Sequence, residues 1–183
     1  MAINEDAIKK LNNLKSKWIY DFPSIKLSYG DTPTSLICND FKGIDELRPG
    51  NFVFFDMQQA SKGVCSISSI AIALACPVVA VYPNRCMAII WGGAVHLSKD
   101  YYADVTTGQQ SFGAVCLLNE DCSVSDPIEG LFLESVSQEH GVIKAHNCEA
   151  IKNLYEGQLV AILPAHSCLA ADATKNIWIK KST

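Results

Sequence analysis

Apolar residues at Ile8, Leu11, Leu14 and Trp18 recur three and four positions apart, the spacing of one helix face, and this predicts an amphipathic helix from Asn4 to Ile19. Asn4 suits the N-cap, Glu5 and Asp6 fall in the first turn, and Lys15 and Lys17 gather later, where they complement the helix dipole. A short strand, Ile25 to Tyr29, then runs into Gly30-Asp31-Thr32-Pro33. Helix, strand and glycine loop in that order are an α/β signature. Beyond them the period shortens. Apolar, β-branched or aromatic runs at Phe52 to Asp56, Val78 to Tyr82, Met87 to Trp91, Phe112 to Leu118, Leu131 to Val136, Gly141 to Lys144, Gln158 to Leu163 and Asn176 to Ile179 predict strands. Turn residues separate these runs, which argues for a compact antiparallel barrel or sandwich. Pro83-Asn84-Arg85 reads as a hairpin loop, and Pro49-Gly50 suits a type II turn.

The change of texture between Thr34 and Asp45 divides the chain into residues 1–40, an α/β piece, and residues 41–183, a β domain. One helix and one strand cannot close a core, so the first piece must dock on the second or belong to a larger α/β unit. The expected fold class is α+β, mainly β: a compact antiparallel β-barrel-like domain preceded by a helix-strand remnant.

Composition narrows the function classes. The 183 residues suffice for one well-cored domain, since chains of this size bury roughly 70% of their unfolded surface. With 49% hydrophobic and 19% charged residues the chain is globular rather than disordered. Net charge is −4, Arg48 and Arg85 are the only arginines, and no basic run is interleaved with aromatics, so a nucleic-acid partner is not expected. The longest apolar stretch, Ile70 to Val81, is broken by Pro77 and is too short for a membrane span. Eight cysteines are scattered through apolar runs, and Met1 to Lys17 is polar and lysine-rich, which predicts a cytoplasmic protein with reduced thiols.

Candidate chemistry concentrates at His166-Ser167-Cys168, after the apolar run Leu159 to Leu163 and Pro164. On an extended segment, side chains two apart point to the same side, so an imidazole and a thiol would face one metal ion. Zn²⁺ suits such a nitrogen and sulfur pair. His146-Asn147-Cys148 repeats the spacing twenty residues earlier. Two metal sites are therefore conceivable: an open one at His166 and Cys168 that leaves room for water or substrate, and a closed structural one using all four. A buried core histidine and cysteine are the alternative to both.

Five segments in order carry a wider resemblance: Ser28-Tyr29-Gly30-Asp31-Thr32-Pro33-Thr34, the stretch from Glu46-Leu47-Arg48-Pro49-Gly50 to Asp56, Gly92-Gly93-Ala94 through Asp100, Ser137-Gln138-Glu139-His140-Gly141, and Leu163-Pro164-Ala165-His166-Ser167-Cys168. Together they resemble the C-terminal portion of the D-serine dehydratase and D-threonine aldolase-like family of fold-type III, alanine racemase-like enzymes. The resemblance implies a TIM-type barrel that holds pyridoxal 5'-phosphate and a β domain that carries Zn²⁺ or another divalent metal. Residues 1–40 would then be the last helix, strand and phosphate loop of the barrel, with Gly30, Asp31 and Thr32 as cofactor-binding residues. A plain Asp-Thr-Pro turn is the other reading of that loop. His166 and Cys168 match the family's metal ligands, which favours the open site, whereas His146 and Cys148 match no ligand position.

The implied substrate is a small β-hydroxy D-amino acid, whose hydroxyl the metal would hold as a Lewis acid for dehydration or aldol cleavage. A homodimer is implied as well. The resemblance places His140 near the metal as an acid/base group, although a turn histidine on the surface fits equally. Asp56 and Gln58, at the end of a predicted strand, either lie close to substrate or make strand-end hydrogen bonds. His96 and Lys99 fall in a loop-like stretch. The Schiff-base lysine of the family belongs to the first barrel strand, and no lysine here has that context, since Lys26 matches the last strand. The chain alone is therefore expected to be inactive. A rival expectation is a non-catalytic β-barrel interaction module with a structural zinc site or none.

Overall fold

The computed structural model describes residues 2–104 and 107–175. Its contacts divide the chain into two units, Met1–Val53 and Phe54–Thr183.

In the first unit α1 (Ala2–Trp18) begins before the expected cap, so Asn4 lies within the helix rather than at its N-cap. Asn12 Nδ2 donates to Lys42 O at 3.0 Å and Lys15 Nζ pairs with Asp45 Oδ2 at 2.6 Å, fastening α1 to the loop that follows α2 (Thr32–Ile37). The strand expected from Ile25 is short: β1 (Ser28–Tyr29) pairs in parallel with β2 (Glu46–Leu47). That pairing carries this unit past the composition change at Thr34 to Asp45. Gly50 does not take a positive φ, so Pro49-Gly50 does not form the type II turn.

The second unit opens with a correction. Segment 52–56 is not a strand: Phe55 turns through a positive φ of 50°, and Asp56 caps the short helix α3 (Met57–Ser61). An apolar run without partners for its backbone has no ladder to join, and an Asp that can accept the amide of the third following residue favours a helix start instead. A single turn of 3-10 helix, Ile67–Ser69, precedes β3 (Leu74–Tyr82). The 3-10 turn Pro83–Arg85 then leads into β4 (Met87–Trp91), as the sequence predicts. There follow α4 (Ala94–Leu97), the small ribbon of β5 (Tyr102–Ala103) and β6 (Gln110–Ser111), then β7 (Gly113–Leu118), β8 (Val124–Pro127), β9 (Leu131–Val136), β10 (His140–Ala145), α5 (Cys148–Ile151), β11 (Leu159–Pro164) and α6 (Ser167–Ala173).

Seven strands form one sheet in the order β8-β7-β11-β3-β4-β10-β9, with every neighbouring pair antiparallel. Phe112 N, just before β7, donates to Leu133 O on β9 at 2.9 Å. This bond ties the far end of the order back toward its start, so the sheet curls in a barrel-like manner. The α+β, mainly β class holds.

Strand alternation makes two cores. Val78, Ile90, Val115, Leu133, Ile143, Val160 and Ile162 fill the inside of the curl, contributed by six strands. The opposite faces of β7 and β11 present Ala114, Cys116, Ala161 and Leu163, which pack with Met57 of α3, Tyr102 of β5 and Ala165. This second core brings α3 to the end of β11, where His166 begins.

Cys86 and Cys148 are joined as a disulfide with their Cα atoms 4.4 Å apart, which corrects the expectation of wholly reduced thiols. Proximity of the β3–β4 turn to α5 explains the pairing, and no sequence spacing foretells it. The predicted strand Asn176 to Ile179 lies outside the described residues. Among the described residues no helix is long and apolar enough to cross a membrane.

Candidate metal centre

The strand β11 ends at Pro164, and His166 is the N-cap of α6 with extended φ −133° and ψ 101°. Ser167 and Cys168 are already helical. The expected extended triplet is therefore corrected to a strand-to-helix turn, and alternation along a strand is not what relates His166 to Cys168. The imidazole does not cap its own helix. It reaches instead to Asp100, with Nδ1 at 2.7 Å from Oδ2. A carboxylate only accepts, so Nδ1 carries the proton, and Nε2 is the nitrogen whose lone pair the neutral ring offers. Metal-ligating histidines have this arrangement, because the second hydrogen bond fixes the tautomer and ring orientation. His96 is prepared in the opposite sense: its Nδ1 accepts from Gly93 N at 3.3 Å, which puts the proton on Nε2.

Asp56 is fully buried and spans two helix starts. Oδ1 accepts from Gln59 N at 2.9 Å and Oδ2 from Ser167 N at 3.2 Å. Gln58 N donates to Ala165 O at 3.2 Å, and its side-chain Nε2 donates to Tyr101 O at 2.9 Å. Both residues, expected at a strand end, thus stand at the start of a helix and bind segments on either side of His166.

Burial, and after it the negative charge of Asp56, pushes the Cys168 thiol above its ordinary range, against an opposing backbone hydrogen bond. Cys65 is pushed up by the same two causes in the same order. A thiolate at Cys168 therefore needs a cation beside it. By donor chemistry alone, an imidazole nitrogen and a thiol suit a divalent metal such as zinc. Among the described residues no group of three or more His, Cys, Asp or Glu side chains forms a metal cage. The closed four-ligand alternative is corrected outright, since the Cys148 sulfur is bonded to Cys86 and the His146 ring lies 4.8 Å from that of Phe132.

The other expected site residues have the following surroundings. His140 opens β10, exposed and in register with Trp91. Gly30, Asp31 and Thr32 belong to the first unit. There Asp31 caps α2, accepting from Thr34 N at 2.6 Å and Thr34 Oγ1 at 2.8 Å, while Thr32 Oγ1 accepts from Asn51 N at 2.9 Å. A Cβ on Gly30 would stand 2.8 Å from Arg48 O, so the glycine is required by that strand's backbone. Sequence reasoning missed Asp100 and Cys65 as neighbours of the centre. Asp100 lies inside a segment that carries the family resemblance, but no spacing rule links it to a histidine 66 residues on.

Residues 71–179 match the family described as "Putative serine dehydratase domain". The chain belongs to this serine dehydratase domain family. It is 28% identical over 171 residues to D-threo-3-hydroxyaspartate dehydratase of Delftia sp. (strain HT23), covering 85% of this chain and 44% of that protein. Two solved structures of a D-threo-3-hydroxyaspartate dehydratase superimpose on this serine dehydratase domain. One is a cysteine-to-alanine mutant in the metal-free form, with a TM-score of 0.78, 25% identity and coverage of 94% of this chain and 45% of that one. The other is a histidine-to-alanine mutant, with a TM-score of 0.79, 24% identity and coverage of 94% and 44%, a likeness of fold. The two altered positions in that enzyme are two residues apart. This chain spans less than half the length of the curated relatives it matches.

Proposed function

We propose that this chain is the metal-carrying C-terminal part of a pyridoxal phosphate-dependent lyase acting on β-hydroxy D-amino acids, of the D-serine dehydratase or D-threonine aldolase type. The observation that carries the reading is the Asp100–His166 hydrogen bond, which leaves Nε2 of His166 as a metal-binding nitrogen two residues before Cys168. Support comes from family membership and from a related dehydratase whose solved mutants alter a histidine and a cysteine at the same separation.

When bound, the metal supplies Lewis acidity toward a substrate hydroxyl and pyridoxal phosphate supplies an electron sink. His166 and Cys168 would hold the metal, with water or substrate as its further partners. Zn²⁺ is the ion this nitrogen and sulfur pair favours. Asp100 keeps the proton on Nδ1 and so fixes which nitrogen binds. His140, exposed at the start of β10, is the candidate acid/base group of this reading. In this reading residues 1–40 are the closing piece of the barrel. With the Asp31 and Thr32 side chains engaged internally, the backbone amides beside Gly30 are the groups left to meet the cofactor phosphate. In this reading the Schiff-base lysine comes from a barrel portion beyond the matched segment, and pyridoxal phosphate chemistry requires that portion. In the same reading the working protein is a homodimer in the cytoplasm, where the Cys86–Cys148 disulfide would have to persist under reducing conditions.

Metal analysis tests the reading. Protein prepared without chelator and supplied with zinc should hold about one ion per chain, and His166→Ala and Cys168→Ala should each lose it. A metal-free wild-type protein after that treatment rules the proposal out. Pyridoxal phosphate absorbance and lyase activity should appear only when the missing N-terminal part is added.

A further inference from the structure

His166 occupies the N-cap of α6, a position whose side chain ordinarily accepts a hydrogen bond from the first helical turn. An imidazole spent on that duty could not also point Nε2 at a metal and Nδ1 at Asp100. The first turn still needs an acceptor, because unpaired amides at a buried helix start are costly. Asp56 serves the first of these amides from 111 residues away: its Oδ2 accepts from Ser167 N, the amide between His166 and Cys168, while its Oδ1 caps α3. The carboxylate is wholly buried, so its place is set by these bonds and the packing of α3. Gln58, two residues on, reinforces the frame by binding Ala165 O on one side and Tyr101 O, next to Asp100, on the other.

We propose that Asp56 is the positioning residue of the metal centre: by holding the Ser167 amide against α3 it fixes the turn from which His166 and Cys168 project. The proposal rests on the metal-carrying role proposed above. It gives Asp56 a task other than contact with substrate, since both carboxylate oxygens face backbone amides.

Cobalt(II) titration of the full chain, followed by the sulfur-to-cobalt charge-transfer band, tests it. Asp56→Asn preserves shape but can accept only one of the two amides. Ser167→Pro removes the amide itself. Proline is well tolerated at the first helical position, and the extended His166 before it already has the conformation that a following proline demands. Both variants should keep the wild-type far-UV circular dichroism, weaken cobalt binding by about 10- to 100-fold, and shift or dim the band. If both bind with wild-type affinity and an unchanged band while Cys168→Ala abolishes it, the positioning role is wrong and the metal site stands. If the wild-type chain gives no band, the metal reading itself fails. Should Asp56→Asn not fold, Ser167→Pro decides alone.

Discussion

His166 Nδ1 lies 2.7 Å from Asp100 Oδ2, across 66 residues of chain and between the loop before β5 and the cap of α6. One side chain on the loop therefore decides which imidazole nitrogen is available. Asp100→Asn keeps the size but replaces a pure acceptor with an amide that can also present a donor, so the ring loses both its fixed tautomer and its orientation. Metal affinity should fall by about 10- to 100-fold, as it does when such partners of ligating histidines are removed. Competition with a chromophoric chelator measures it. Unchanged affinity would show that His166 orients itself without Asp100.

In the first unit, Lys15 and the amide of Leu27 hold the Asp45 carboxyl below its ordinary value of 3.8, the lysine hydrogen bond being the larger cause. The folded value is depressed, so whatever stability the pair gives is present above the unfolded value and is lost as pH falls through the lowered folded one. An NMR titration of the Asp45 carboxyl should find its midpoint below 3.8 in the wild-type chain and closer to it in Lys15→Ala. A wild-type midpoint at or above 3.8 would contradict the ion pair.

Much of the β domain was legible because its strands are long enough for alternation to show: β4 and β9 coincide with the predicted runs, and β3, β7, β10 and β11 contain or nearly match theirs. Phe52 to Asp56 was misread because an apolar run alone carries no information on whether a neighbouring strand exists to pair with it. Short β2, β5, β6 and β8 leave no periodic trace, whereas β1 lies within the predicted Ile25 to Tyr29. At the candidate site, His166 and Cys168 could be singled out from their residue types, but the arrangement around them could not. It depends on Ser167 turning helical and on Asp56 and Asp100 arriving from distant segments. Pairing of Cys86 with Cys148 is likewise a product of tertiary folding.

Gly93 is the N-cap of α4, where a Cβ would meet only backbone: Gln138 O and His140 N at 2.6 Å each. Ala94 N and Val95 N donate to Ser137 O and Gln138 O, so the turn before β10 cannot swing away without breaking those bonds. Gly93→Ala should cost about 1–3 kcal/mol, the range for forced overpacking. Thermal unfolding would register this as a lowered Tm, and the amide resonances of residues 138–140 should move. A Tm equal to wild type with unmoved resonances would refute the close approach.

The Cys86–Cys148 bond closes a loop with a sequence separation of 62 and holds α5 against the β3–β4 turn. Loop-closure entropy for a cross-link of that span corresponds to about 4 kcal/mol at most. Cys148→Ser, or reduction of the wild type, should accordingly lower the Tm by roughly 10 °C for a chain of this size. Thiol labelling gives an independent check. Cys76 and Cys116, buried and with thiols pushed up to about 12, should resist alkylation in the native protein, whereas Cys38, Cys65, Cys122 and Cys168 are accessible in part or fully. In denaturant without reductant, six thiols should label, and two more should appear only after reduction. Eight thiols labelled without reductant, together with a Tm indifferent to it, would mean that the two sulfurs are neighbours but not bonded.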